Sequence, residues 1–355
     1  MAESTTDLKE QEAPNAGSAR RRKPGLILTI CSTGYLVVLL AVAAGDVMGP
    51  ERWWFGSLNL YLPQWIWAIP AILLVPAYLI TAPRWSFVPA AMLLIVLGPL
   101  MGFCWPWPGG QPSSGPGIRL RLLTYNVKWA GMNVDAIADE IQQDHPDIVM
   151  MQDAAGALDG KLRPCFTGWY VLSVDQYIVA SRYPILAPEI RWITVGTEWH
   201  RVLRCTALMG DRKVTLYDCH LLTPRWGLGA LRHPRSAGVA ALNANVEERL
   251  EQAGALADHV RRETGPIILA GDLNSPVQSL ACRRLFAVGL RDAFSQAGRG
   301  YGYTYGQTTR IGRPYVRIDH IMVNQGWSVL SCRAGNSVGS AHCPVVADLF
   351  LPAHS

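Results

Sequence analysis

Three consecutive stretches without charge dominate the first 104 residues, and they restrict what this chain can become more than any other feature. No charged residue occurs between Lys23 and Asp46, and Leu26 to Ala44 is almost wholly apolar, about the length that crosses a bilayer's hydrocarbon. A second stretch runs from Trp53 to Pro83 with its apolar centre near Trp65 to Ile80, and a third from Trp85 to about Phe103. Pro70, Pro76, Pro89 and Pro99 interrupt them, which membrane helices tolerate better than soluble ones. Trp53, Trp54, Trp65, Trp67, Trp85, Trp105 and Trp107 sit near the boundaries, where indole rings favour the membrane interface. A buried helical hairpin in a soluble protein is the competing reading, but three apolar stretches in a row lack any charged face. Residues 25–104 are therefore expected to form three transmembrane helices.

Arg20, Arg21, Arg22 and Lys23 directly precede the first stretch, so the positive-inside rule places a basic tail, residues 1–24, in the cytoplasm. A cleaved signal peptide would have a shorter apolar region ending in small residues. An odd number of spans then puts the rest of the chain outside, as a multi-pass membrane protein with an extracytoplasmic C-terminal domain. Residues 105–117 are rich in Pro, Gly and Ser and read as a linker. Residues 118–355 are long enough for a sizeable core. The formal net charge is only +5, far from the basic stripe of a nucleic-acid binder, though compatible with anionic substrates. Six of the eight cysteines fall in this domain without a Cys-x-x-Cys pair, which argues against a zinc cluster and leaves disulfides open if the domain is outside.

The domain alternates strands and helices. Ile118 to Asn126 reads as a strand, Asn133 caps an amphipathic helix, and Asp147 to Gln152 forms a second strand. Gln176 to Ala180, Val202 to Leu208 and Lys213 to Cys219 follow, the last two joined through Gly210-Asp211 as a hairpin. Leu242 to Val260 repeats apolar residues at three and four positions, a long helix ended by Gly265-Pro266. Ile267 to Ala270 is a short buried strand, Leu280 to Ala287 a helix, and Arg317 to Val323 and Val345 to Phe350 are strands. Strands, helices and hairpins together favour an α/β sandwich over a doubly wound sheet.

Polar residues gather where these strands end. Asn126 closes the first strand, Asp153 follows the second, and Gly271-Asp272-Leu273-Asn274 follows the Ile-Ile-Leu-Ala run. Strand alternation would point Asp272 and Asn274 the same way. Mg2+ is usually held by one or two carboxylates, its other positions taking water and phosphate. The tetrapeptide alone is also a good turn.

Taken together with Thr124-Tyr125-Asn126-Val127, Pro146-Asp147 through Gln152-Asp153, Ser181-Arg182-Tyr183-Pro184, Cys219-His220-Leu221, Arg317-Ile318-Asp319-His320 and Ser340-Ala341-His342-Cys343-Pro344, the pattern resembles the endonuclease/exonuclease/phosphatase superfamily, and its bacterial membrane-anchored members in particular. The resemblance implies a four-layered, DNase I-like α/β sandwich and hydrolysis of a phosphoester with Mg2+, or Mn2+ in its place. It implies Asp153, where the family usually has Glu, as the metal-binding carboxylate, with Asn126 beside metal and phosphate. Asp272 would orient or activate the attacking water, Asn274 would donate to a phosphate oxygen, and His220 would contact phosphate or leaving group. Asp319 and His342 would form the carboxylate–histidine pair. Ala341 stands where the family has Asp, so weaker metal affinity or a lower rate is expected, and a catalytically silent phospho-ligand-binding module is the alternative. The implied partners are the bilayer and a phosphoester, whether nucleic acid, phospholipid headgroup or small phosphate ester; no protein partner is implied. His200, His233 and His320 receive no role. Tyr301, Tyr303 and Tyr305 are read as packing on a sheet face rather than lining a cleft, and Arg225 and Trp226 lie where substrate contact is open.

Overall fold

A computed structural model describes residues 23–106, 115–193, 200–232, 236–336 and 339–353. Most of the basic tail, the middle of the linker and His233 lie outside these residues. The N-terminal region forms α1 (Leu26–Met48), the short α2 (Trp54–Asn59), α3 (Ile69–Thr81) and α4 (Phe87–Ile95). With their flanking turns, three helical segments, Leu26–Met48, Gln64–Thr81 and Pro83–Leu100, are long and apolar enough to cross a membrane. They pack through Leu39, Val42, Leu74, Tyr78, Met92 and Val96, and the Ser32 and Tyr78 hydroxyls bond at 2.9 Å. Their outer faces stay apolar, with Leu40, Ile72, Leu73, Ile80 and Leu94 exposed. Helices apolar on both faces suit a lipid environment.

The C-terminal region is built from β1 (Gly117–Asn126), α5 (Val134–Asp144), β2 (Ile148–Gln152), β3 (Tyr170–Val174), β4 (Tyr177–Ser181), β5 (Ile185–Trp192), β6 (Arg201–Met209), β7 (Arg212–His220), α6 (Arg225–Ala230), α7 (Ser236–Arg261), β8 (Ile267–Asp272), α8 (Leu280–Phe286), β9 (Arg291–Asp292), α9 (Ala293–Ala297), β10 (Asp319–Val323), β11 (Ser328–Ala334) and β12 (Val345–Pro352). The strands form two six-stranded sheets, ordered β11-β12-β1-β2-β4-β3 and β5-β6-β7-β8-β10-β9. Because side chains alternate along a strand, Leu122, Met150, Leu216, Ile268, Ile321 and Ala347 fill the space between the sheets. Their neighbours face outward: Val149 and Met151 meet Ile137 and Ile141 of α5, while Tyr217, Leu269 and Met322 meet Leu256 and Val260 of α7 and Leu285 of α8. This is the four-layered α/β sandwich the sequence led us to expect. None of the eight cysteines is in a disulfide.

The apolar helices are docked on the sandwich. The Glu51 carboxylate accepts from the Leu280 amide at 3.0 Å, at the positive end of α8. Arg283 donates to the carbonyl oxygens of Asp46 and Val47. Cys104 and Gly300 exchange backbone bonds of 2.8 Å. The Tyr301 and Tyr303 hydroxyls donate to the Leu97 and Met101 carbonyls at 2.9 and 3.1 Å, and their rings stack at 5.2 Å. These two tyrosines do pack, against the apolar helices rather than on a sheet face.

Candidate active site

The topology gathers the seven polar residues at one edge. β1 runs parallel to β2 and β7 parallel to β8, so Asn126, Asp153, His220 and Asp272 all emerge at or just past the C-terminal ends of central strands. β10 and β12 run antiparallel to β8 and β1, so they begin where those strands end, placing Asp319 opposite Asp272 and His342 just ahead of Val345. Gly271 makes the crossing possible, since at its φ of 135° a Cβ would collide with the Cys219 carbonyl. Lys128, Trp129, Ala130, Asp153 and Asn274 adopt left-handed φ values between 47° and 62°. Such non-glycine outliers are costly and cluster at functional sites.

Asp272 is the hub. Its Oδ2 accepts from Asn126 Nδ2 at 3.0 Å, and its Oδ1 accepts from the Asn274 amide at 2.8 Å. His220 Nε2 lies 3.6 Å and His342 Nε2 3.8 Å from that same Oδ2. His220 also links the two acids, its Nδ1 standing 3.4 Å from Asp153 Oδ1 and 2.7 Å from Gln176 Oε1. His342 Nδ1 meets Asp319 Oδ2 at 3.0 Å. Asn274 is not placed by strand alternation, because β8 has ended and the chain has turned left-handed; its side chain donates to the Leu221 carbonyl at 2.9 Å while still lining the cleft.

Electrostatics separate the acids. Burial works against charge on His342, yet the Asp319 and Asp272 carboxylates outweigh it and raise its pKa above the ordinary value. Burial likewise opposes the charge on Asp153, but His220 and Lys128 outweigh it and hold that carboxyl below its usual range. Asp218, two residues before His220, is pushed well above the carboxylate range by burial and accepts from Gln152 Nε2 at 2.6 Å.

Two donor sets are present for a cation. Ligand atoms of Asp272, Asp319 and His342 lie within 4.8 Å of one another. In that set His342 Nδ1 is already hydrogen-bonded to Asp319 at 3.0 Å. Asn126 and Asp153 offer only oxygens, the chemistry a hard divalent cation selects. Lys128 Nζ stands 3.5 Å from Asp153 Oδ2 and shares that ground.

A cleft of about 440 Å3 opens over the site, lined by Lys128, His220, Asp272, Asn274 and His342 together with Arg225, Tyr305 and Tyr61. Tyr305 thus lines the cleft, with its ring 4.8 Å from that of His342, and Arg225 Nη2 donates to its hydroxyl at 3.4 Å. Trp226 is exposed and does not line the cleft. Sequence reasoning missed Lys128, Gln176, Arg249 and Tyr61. Arg249 Nη2 donates to the Asn274 carbonyl at 2.8 Å, the Ser275 hydroxyl at 2.6 Å and Tyr61 Oη at 2.5 Å, and Tyr61 donates to the Asn274 carbonyl at 2.9 Å. An arginine inside a helical period and a tyrosine inside a charge-free stretch carry no local signal of such a role.

The sequence profile described as the Endonuclease/Exonuclease/phosphatase family matches residues 123–342. Among solved structures, an endonuclease/exonuclease/phosphatase from Bacteroides vulgatus is 20% identical, covers 66% of this chain and 99% of its own, and gives a TM-score of 0.53. A family protein from Bacteroides thetaiotaomicron is 15% identical over 67% and 99% of the two chains, also at 0.53. A humanized TDP2 from D. rerio is 16% identical over 65% and 98%, at 0.51. At these identities the likeness speaks for the fold. No curated protein matches the chain.

Proposed function

Because the chain belongs to the endonuclease/exonuclease/phosphatase family, we propose that it is a membrane-anchored, divalent-cation-dependent hydrolase of phosphoester bonds. The observation that carries this reading is the convergence of Asn126, Asp153, His220, Asp272, Asn274, Asp319 and His342 around one carboxylate at one sheet edge.

Asp153 and Asn126 are the residues we assign to Mg2+, or Mn2+ in its place. A bound cation neutralises charge on a phosphoryl oxygen. Asp272, fixed by Asn126 and the Asn274 amide, is an acceptor poised to orient a water molecule. His342, whose charged form Asp319 and Asp272 favour, supplies positive charge at the cleft floor. The Asn274 amide retains one N–H beyond its bond to Leu221 for a phosphate oxygen. His220 presents Nε2 to the cleft while Gln176 holds Nδ1. These roles suit phosphoryl transfer, which depends mainly on positioning and charge.

The region assignment follows the same reading: a cytoplasmic tail over 1–24, three spans within 25–104, a linker over 105–117, and an extracytoplasmic catalytic domain over 118–355. Arg20 to Lys23 support the orientation, and a reporter fused after Ser355 that works only in the cytoplasm would reverse it. The substrate is a phosphoester of nucleic acid, phospholipid headgroup or small-molecule type. A silent phospho-ligand-binding module is the second reading, favoured by Ala341 and by the Lys128 ammonium beside Asp153. The test is hydrolysis of bis(p-nitrophenyl) phosphate and phospholipid vesicles by the full chain, with Mg2+ and with EDTA. Activity that needs Mg2+ and vanishes in Asp153→Ala is expected; an active Asp153→Ala at saturating Mg2+ removes Asp153 from the site.

A further inference from the structure

A cavity of about 940 Å3 is separate from the catalytic cleft. One wall is α1, through Val38, Ala41, Val42 and Gly45. Trp53, Trp54, Phe55 and Trp67 also line it, as do Asn243, Val246 and Leu250 of α7. At 1.5 Å per residue, the α1 wall from Val38 to Met48 is about 15 Å long, which is the depth of one leaflet of a ~30 Å hydrocarbon layer. Nothing lies within 4 Å of where a Cβ on Gly45 would stand, so the space beside the helix is open. Trp67 is pinned by its indole N–H, which donates to Asn59 Oδ1 at 3.0 Å.

The two ends of this cleft differ in kind. Along α1 its lining is aliphatic toward Val38, whereas toward Met48 it brings the carboxylates of Asp46, Glu51 and Glu247 against the one guanidinium of Arg52. The nearby guanidinium groups make their hydrogen bonds to other atoms: Arg283 donates to the carbonyl oxygens of Asp46 and Val47, and Arg249 to Asn274 and Ser275. Glu51 is committed to the Leu280 amide. Among the described residues, salt bridges involve neither Asp46 nor Glu247. Carboxylates beside indole faces are the chemistry that receives an ammonium group.

We propose that this cleft binds one phospholipid of the adjacent leaflet that bears an ammonium headgroup, its acyl chain along Val38 to Gly45 and its ammonium at the acidic, aromatic end. The inference rests on α1 spanning a membrane, and it is independent of which phosphoester the catalytic cleft hydrolyses. The test is native mass spectrometry of the full chain released from vesicles of equal phosphatidylethanolamine and phosphatidylglycerol. Retained lipid should be enriched in phosphatidylethanolamine roughly three- to thirty-fold, the range a cation–aromatic contact supports. Glu247→Gln combined with Asp46→Asn should bring that ratio close to one. Gly45→Leu, which fills open space and favours helix, should lower retention of both lipids. Equal retention of the two lipids by the parent overturns the headgroup assignment, and undiminished retention by Gly45→Leu overturns the site. A chain that retains no lipid but changes oligomeric state in Gly45→Leu makes a second copy the occupant and also overturns it. Recovery of the chain in the soluble fraction would instead refute the membrane reading, a separate failure.

Discussion

Strand β10 carries two imidazole–carboxylate pairs on its opposite faces. Asp319 lies on the His342 side and meets its Nδ1 at 3.0 Å, while its neighbour His320 points the other way and meets Asp292 Oδ1 at 2.9 Å. What separates them is the second ring nitrogen. His320 Nε2 is consumed by the Ser275 carbonyl at 2.9 Å, whereas His342 Nε2 stands 3.8 Å from Asp272, beyond a hydrogen bond and open to the cleft. Asp292 also has Arg317 at 2.8 Å, so its charge is met twice over. A buried His–Asp pair becomes chemistry only where one nitrogen is left for a substrate; fully bonded, it is a structural tie.

The sharpest way to break this comparison is kinetic. His342→Ala is expected to lower turnover by roughly 10²- to 10⁴-fold, the usual worth of a group acting on protons or charge in the transition state. Turnover per folded molecule in His320→Ala should change far less. Equal losses in both variants, measured on protein of matched melting behaviour, would mean the two pairs are not distinguished by their free nitrogen.

The reverse should hold for stability. Asp292→Ala leaves Arg317 and His320 buried without their acid, and breaking such a pair costs about 3 to 5 kcal/mol. Thermal melts of the full chain in detergent should show a larger fall for Asp292→Ala, which strands both Arg317 and His320, than for His342→Ala, which strands Asp319 alone. His320→Ala also loses stability, because that ring is buried and ties Asp292 to the Ser275 carbonyl.

The pH dependence of the two pairs should run in opposite directions. Burial opposes the charge on Asp292, but Arg317 and His320 outweigh it and hold its pKa well below the ordinary 3.8. Its contribution is then fully present above pH 3.8 and is lost as pH falls toward the folded-state value. His342 is raised above its ordinary 6.5, so its contribution is present below pH 6.5 and is lost as pH rises through the raised value. The melting difference between parent and Asp292→Asn should therefore shrink in acid, and that between parent and Asp319→Asn should shrink in alkali. A difference between parent and Asp319→Asn that does not shrink in alkali refutes the assignment.

The sequence shows why one pair was legible and the other not. Asp319 and His342 sit in motifs that resemble the family's, and central strands such as Ile267–Asp272 are continuous apolar runs that announce themselves. Asp292 and Arg317 are far apart in sequence and meet only because β9 pairs with β10. The edge strands β3, β5 and β11 went unread for a related reason. They are partly exposed and mixed in character, β5 and β11 carry register shifts, and Pro188 interrupts β5, so neither alternation nor an apolar run marks them. Short helices α2, α6 and α9 offer too few turns for a period to show. Tyr61 and Arg249 are the extreme case, since their partner is a backbone carbonyl more than 20 residues away in sequence.

The smallest effect tests the same loop from its other side. Residues 274 and 275 are braced by His320 through the Ser275 carbonyl, and by Arg249 and Tyr61 through the Asn274 carbonyl. Tyr61 comes from the segment between the first two apolar helices, so the cleft is completed by the region outside the sandwich. Burial pushes its phenol up to about 12, so it remains a donor across the working range of pH. Tyr61→Phe removes one hydroxyl while Arg249 keeps its own bond to the same carbonyl, so the loss should be about 1 kcal/mol, the worth of a single hydrogen bond. Because Asn274 is positioned rather than replaced, the change should appear as a several-fold fall in kcat with KM nearly constant. The added substitution Arg249→Met should deepen it more than the sum of the two single changes, since the two side chains share one acceptor. Strict additivity, or a Tyr61→Phe effect confined to KM, would show that Tyr61 lines the cleft without holding the catalytic loop.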